Sequence, residues 1–295
     1  MDIGIIGGGA IGLLFASYLH KVHHVTVYTR TLEQAQCLND KGLFLKKGNE
    51  TEKAAIQAFQ LEPAGPVRHD LLIVAVKQYH LEGILPFLAG GKSPLLFLQN
   101  GMGHLEYIHQ LPQEKQIYVG VVEHGAMKQG DNIVCHTGIG AAKVASVTGD
   151  MKLFAELAQP AFPFVCMDDY EEMLKSKLIA NAVINPLTAV LTAKNGELLA
   201  NPFYHELFLR LFDEVALVLE FPDKQKIREH VADICRRTAE NRSSMLRDLE
   251  NGRKTEIDAI LKYTISLAEK KSLDVPLSRS LYAMVKGKEV AGKEA

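Results

Sequence analysis

The sequence predicts an α/β amino-terminal domain with a mostly parallel sheet over residues 1–167, followed by an all-α carboxyl-terminal domain over 168–295. Three observations carry that expectation. The first half alternates short aliphatic runs with turn-rich and helical segments, and those runs are continuously apolar, as strands covered on both faces are. After about Cys166 the texture changes to long amphipathic stretches of helical period. The length, 295 residues, suits two domains, and a hydrophobic content of 47% can fill a core in each.

The strand runs fall at 3–6, 25–28, 71–76, 95–98 and 117–122, while 42–68 shows no period that assigns it. In the second half one helix is expected from Asp168 or Asp169 through the sequence EEMLKSKLIANAVINPLTAVL, bent by Pro186. A second starts at Asn201-Pro202, where Asn can cap and Pro can take the first helical position, with Leu207, Leu211, Val215 and Leu219 as its apolar stripe. Two more are expected over 223–240 and 255–271, and the polar tail from Gly287 reads as frayed.

Composition removes several function classes. Lys and Arg number 33 against 35 Asp and Glu, a net charge of −2, so the chain lacks the bulk electrostatics of a nucleic-acid binder. A small-molecule partner is the better expectation. Cys37, Cys135, Cys166 and Cys235 lie far apart without a C-x-x-C pair, which fits neither a disulfide framework nor a zinc site and suggests a reducing compartment. The apolar amino terminus carries Asp2 and no basic residue before Lys21, the wrong polarity for a signal peptide. No stretch reaches the length of a membrane span, and the reading is a cytoplasmic protein. The histidines His20, His23, His24, His104 and His109 show no ligand spacing, so no metal is expected. The apolar helices from Asn201 on could include a homodimer face, and core packing explains them equally well.

Gly7-Gly8-Gly9-Ala10-Ile11-Gly12 fits G-x-G-x-x-G directly after a strand and at the start of an apolar helix, the context a dinucleotide fingerprint requires. In a Rossmann-type domain these residues bring backbone amides and a helix amino terminus to a pyrophosphate. The second strand ends at Arg30, where an enzyme using NAD would usually carry an acidic residue for the ribose hydroxyl. An arginine there favours the 2′-phosphate of NADP. Lys77 and Asn100 follow two further buried strands, so they join the glycine loop and Arg30 on the carboxyl edge of the sheet, where ligands of such sheets bind. Singly, Lys77 reads as a solvated strand-end lysine and Asn100-Gly101 as a turn; their agreement on one edge is the signal.

Lys177, Asn181 and Asn185 recur at steps of four and so project from one helix face among aliphatic residues. One ammonium and two neutral amides suit the lining of a polar ligand site, since the amides donate and accept and the lysine can attract an anion and give a proton. Asparagines pairing with neighbouring helices would give the same spacing. Asn195 in the following loop is weaker evidence. Farther on, Ser243-Ser244 and Thr255-Glu256-Ile257-Asp258 offer hydroxyls and carboxylates, and spacing alone reads both as helix caps.

The glycine loop GGGAIG, NGMG at residues 100–103, KSKLIANAVINPLTA at 175–189, and AENRSSML with KTEID together resemble the ketopantoate reductase (2-dehydropantoate 2-reductase) family over nearly the whole chain. The resemblance implies an NADP-binding Rossmann domain, a helical second domain and a cleft between them. It implies NADPH-dependent reduction of ketopantoate to pantoate, a step of pantothenate and coenzyme A biosynthesis. It makes Lys177 the general acid, with Glu256 near both it and the cofactor. Asn100, Asn181, Asn185 and Asn195 would line the substrate, and Ser244 would hold its carboxylate. Gly7 to Gly12, Arg30, Lys77, Asn100, Ala126 and Glu256 would meet the cofactor, and Gln99, where some members carry His, receives no role. Two other readings keep the same nucleotide half: a reductase of another 2-oxo acid on the same fold, and an NADPH-binding sensor without catalysis.

Overall fold

In the computed structural model, which describes residues 1–62 and 68–294, contacts divide the chain into two units. The first holds Met1–Gln99 and His104–Met173; the second holds Asn100–Gly103 and the chain from Leu174 on.

The first unit opens with β1 (Asp2–Ile6), α1 (Ala10–Leu19), β2 (His24–Thr29) and α2 (Leu32–Lys41). Three short strands follow, β3 (Leu43–Lys47), β4 (Glu50–Ala54) and β5 (Gln57–Gln60), then β6 (Leu71–Val74), α3 (Leu81–Gly90), β7 (Leu95–Phe97) and a single turn, α4 (Leu105–Ile108). It closes with β8 (Ile117–Val122), β9 (Gly125–Lys128), β10 (Ile133–Gly138), β11 (Ala142–Thr148) and β12 (Phe164–Met167). Eight of these form one sheet in the order β12-β11-β8-β7-β6-β1-β2-β5, and every neighbouring pair in it is parallel except β11 with β8. The expected mostly parallel sheet is therefore present, with the runs at 71–76 and 95–98 leaving the ladder at Val74 and Phe97.

Segment 42–68, unassigned by period, supplies three strands: β5 extends the large sheet, and β3 and β4 join β10 and β9 in a second, four-stranded sheet. These strands escaped sequence reading because they are short and mostly polar; β4 reads ETEKA and only Ala54 is buried. Helix α1 has buried side chains around most of its surface, including Leu13, Leu14, Phe15 and Leu19, because it packs with both sheets in one core that also holds Ile3, Ile5, Val27, Leu43, Leu45 and Val134. A polar chain ties it to the small sheet: Tyr18 Oη bonds His136 Nδ1 at 2.7 Å, His136 Nε2 bonds His124 Nδ1 at 3.1 Å, and the His124 ring stacks on Phe162.

The second unit is helical. Helix α5 (Tyr170–Leu191) starts where Asp169 accepts from the amides of Glu171 and Glu172, and it runs on through Pro186. After α6 (Glu197–Ala200), α7 (Pro202–Leu219) begins at Asn201, whose side chain accepts from Phe203 and Tyr204, as the Asn-Pro signal predicts. Asp223 caps α8 (Lys224–Arg237) and Ser243 caps α9 (Ser244–Glu250). The stretch expected as a plain helix over 255–271 contains a π-helical turn, Asp258–Lys262, before α10 (Tyr263–Lys270). The tail from Gly287 corrects the expectation of fraying: it continues α11 (Pro276–Glu294), held by burial of Val285 and of the Glu289 carboxylate. Among the described residues no helix is long and apolar enough to cross a membrane.

Candidate active site

The nucleotide half of the site is built by strand register. Ile6 on β1 pairs with Tyr28 on β2 and with Val74 on β6, so Gly7, Arg30 and Lys77, which follow those three residues by one, two and three positions, share one edge of the sheet. Strand order reverses between β1 and β6, the switch point at which open α/β sheets bind ligands. Gly7 sits at φ +121°, and a Cβ there would lie 2.8 Å from the carbonyl oxygen of Ala75. A Cβ on Gly12 would lie 1.9 Å from the carbonyl oxygen of Gly7, so no larger residue lets α1 close on the loop. Around Gly9 the picture is opposite: a Cβ would meet nothing within 4 Å. The first turn of α1 has no capping side chain and no acidic residue, leaving amides turned to open space. That combination fits a pyrophosphate. Arg30 is exposed just beyond β2 and Lys77 is half-buried beyond β6.

Two glutamines that spacing did not single out as functional hold this edge in shape. Gln34, buried on α2, donates from Nε2 to the carbonyl of Gly8 at 2.8 Å and of Asp131 at 3.0 Å. A Cβ on Gly8 would strike its amide. Gln99 is 5% exposed and donates to the carbonyls of Val74 and Val76 at 2.8 and 2.9 Å, which fixes the backbone just ahead of Lys77. Neither contact leaves a trace in local sequence period. Ala126 lies on β9 opposite His136, half-buried against the core of the first unit.

In the second unit the polar residues of three separate segments meet. Asn100 donates from Nδ2 to Glu256 Oε2 at 2.9 Å, and Asn181 donates from Nδ2 to Asn100 Oδ1 at 3.4 Å. All three are half-buried, neither sealed nor fully solvated. Lys177, also half-buried, stands one turn before Asn181 on the same face of α5, and Asn185 one turn after it, 8% exposed. The alternative reading of that spacing is pairing with neighbouring helices; Asn181 instead bonds a carboxylate-bound asparagine in a loop. The loop is pressed close: at Gly101, φ +81°, a Cβ would lie 2.1 Å from the carbonyl oxygen of Ala259 in the π turn. A chain of neutral amides ending on a carboxylate, beside a lysine, can hold a polar anion and move a proton to it.

Asn195 is 7% exposed, with Nδ2 given to Thr238 Oγ1 at 2.9 Å. Its Oδ1 is buried with no partner among the described residues. The two serines divide: Ser243 is buried, caps α9 and accepts from Thr188 Oγ1 at 2.8 Å, whereas Ser244 is exposed.

Residues 3–149 match the family described as ketopantoate reductase PanE/ApbA, and residues 169–289 match its carboxyl-terminal part. The 2-dehydropantoate 2-reductase of Bacillus subtilis is 42% identical over 294 residues, 98% of each chain. The chain belongs to the ketopantoate reductase family. The crystal structure of the probable Bacillus subtilis ketopantoate reductase superposes with a TM-score of 0.89 at 41% identity, covering 98% of this chain and 100% of that one. A ternary structure of D-mandelate dehydrogenase with NADH and anilino(oxo)acetate also gives 0.89, at 25% identity over 99% of each chain. The mostly parallel sheet and the helical second unit are therefore the architecture of the family.

Proposed function

We propose that this chain reduces 2-dehydropantoate to pantoate with NADPH, and that Lys177 gives the proton. The observation that supports it most is the Asn100, Asn181 and Glu256 set beside Lys177 in a chain 42% identical to a 2-dehydropantoate 2-reductase. NADPH, when bound, supplies a hydride to the keto carbon. The amides of the glycine loop and the uncapped start of α1 would hold its pyrophosphate, and Arg30 and Lys77 would take the phosphate charge on the same sheet edge.

Lys177 presents its ammonium to the keto oxygen. As negative charge grows there, the ammonium stabilises the transition state more than the ground state, and it then delivers the proton that completes the alcohol. The resulting neutral amine regains a proton from water, which its half-buried position permits. Asn181, Asn185 and Asn195 line the substrate without adding charge, and the exposed Ser244 hydroxyl donates to the carboxylate. Glu256 fixes the Asn100 amide.

The D-mandelate dehydrogenase likeness keeps a second reading in view, a reductase of a different 2-oxo acid, and the higher identity to 2-dehydropantoate 2-reductases favours ketopantoate. Following nicotinamide absorbance with purified protein, ketopantoate and either NADPH or NADH tests both parts. The expected result is a kcat/KM at least about tenfold higher with NADPH, the order of one charge-assisted contact from Arg30. Equal use of both cofactors would remove the role of Arg30, and no ketopantoate turnover would overturn the substrate.

A further inference from the structure

Glu256 sits in a segment between α9 and the π turn whose own sequence, Arg253-Lys254-Thr255-Glu256, has no regular structure to hold it. It is held instead by α11. Tyr282, Lys286 and Glu289 recur at steps of four and three, hence on one face of that helix, and each reaches a residue flanking Glu256. Glu289 Oε1 accepts from the amide of Thr255 at 2.8 Å and from its hydroxyl at 2.6 Å, and that hydroxyl in turn accepts from the amide of Ile257 at 3.2 Å. On the other side Tyr282 Oη donates to Asp258 Oδ1 at 2.8 Å. Lys286 bonds Glu289 Oε2 at 2.6 Å and lies 3.5 Å from Asp258 Oδ2. Thr255 is fully buried and Glu289 is 9% exposed.

We propose that Glu289 is a positioning residue of the reductase reaction, fixing the backbone on both sides of Glu256 so that its carboxylate meets Asn100. Burying a carboxylate is costly unless it is fully bonded, and here one oxygen takes two bonds from Thr255 while the other takes the ammonium of Lys286. Burial pushes the Glu289 carboxyl up, but the bonds from Lys286 and Thr255 outweigh it and leave it below its ordinary value, so it is charged at neutral pH. The need for this clamp follows from the chemistry of the site. The Asn100 bond to Glu256 joins residues 156 positions apart, and a segment free to shift by an ångström would lose it. The glycine loop, Arg30 and Lys77, which would carry the phosphates of the cofactor, belong to the other unit, so disturbing the clamp should leave most of the cofactor affinity in place even though Asn100 and Glu256 would also meet the cofactor.

The inference rests on the role given to Glu256, and a double-mutant cycle separates the two. Steady-state kcat with ketopantoate is measured for Glu289→Ala, Glu256→Gln and the double variant, with NADPH affinity followed by nicotinamide fluorescence. The expected result is a kcat loss of at least about tenfold in Glu289→Ala, an NADPH Kd within about twofold, and a double variant no worse than Glu256→Gln. Losses that multiply, or a Glu289→Ala kcat within about twofold of the parent, overturn the positioning role while leaving that of Glu256 intact. Full kcat in Glu256→Gln overturns both. If Glu289→Ala unfolds below the assay temperature, Thr255→Val, which removes the hydroxyl bond at nearly constant volume, takes its place with the same criteria.

Discussion

Ser243 and Ser244 are adjacent, of one type, and divided by a single step of chain. The first is spent on structure, capping α9 and bonding Thr188 inside α5, and the second is left exposed. From sequence the pair reads only as a cap, because which hydroxyl turns inward depends on the helix packed against it. If Ser244 holds the substrate carboxylate, Ser244→Ala should raise the KM for ketopantoate about tenfold, with kcat within about twofold in steady-state assays. A fall in kcat at constant KM would contradict that contact. The residues on α5 were legible because helical period alone puts Lys177, Asn181 and Asn185 on one face. Their link to Asn100 and Glu256, and the grip of Gln34 on Gly8, were not legible as contacts, since nothing in local spacing pairs polar side chains so far apart in the chain.

Among the elements, five strands of the large sheet, β1, β2, β6, β7 and β8, and the capped helices of the second unit declared themselves, whereas β5, β11 and β12 did not, nor did other pieces whose structure is imposed by neighbours. The small sheet is one, built from short strands of mixed polarity that pack on α1; the π turn is another, its Ala259 carbonyl seated on Gly101. The α4 turn shows what such packing costs. His104, just before it, is fully buried, lies nearly parallel to Phe97 at 6.5 Å, and its ring nitrogens have no partner among the described residues. Burial pushes its pKa down to about 4 from the ordinary 6.5, and His124, just before β9, is likewise pushed down to about 4 by burial and by the neighbouring His136. The folded state resists a proton that the unfolded chain takes up, so stability is full above about 6.5 and falls as pH drops toward 4. From His104 alone the loss between pH 7.5 and pH 5 comes to about 2 kcal/mol. Urea unfolding at those two pH values should show a lower midpoint at pH 5, and His104→Phe should reduce that pH difference. An unchanged difference in the variant would show that His104 is not the group that titrates.

Across the whole molecule, the proposed division of labour follows the two units: a sheet edge that would hold phosphate in the first and an amide and carboxylate cluster that would deliver the proton in the second. The first was readable because the glycine loop follows the first strand directly and parallel register places Arg30 and Lys77 on its edge. The second was readable in its helices but not in its closing one, since the polar run at the end of α11 is held by distant partners, the buried Val285 and the clamp on Thr255 and Asp258. If the labour is divided this way, proton delivery can be removed without touching cofactor binding. Lys177→Ala, assayed for ketopantoate reduction and for NADPH affinity on the same preparation, tests that separation most directly. The expected result is a kcat at least about a hundredfold lower with the NADPH Kd within about twofold. Turnover within about tenfold of the parent enzyme would contradict it and give the proton to another group.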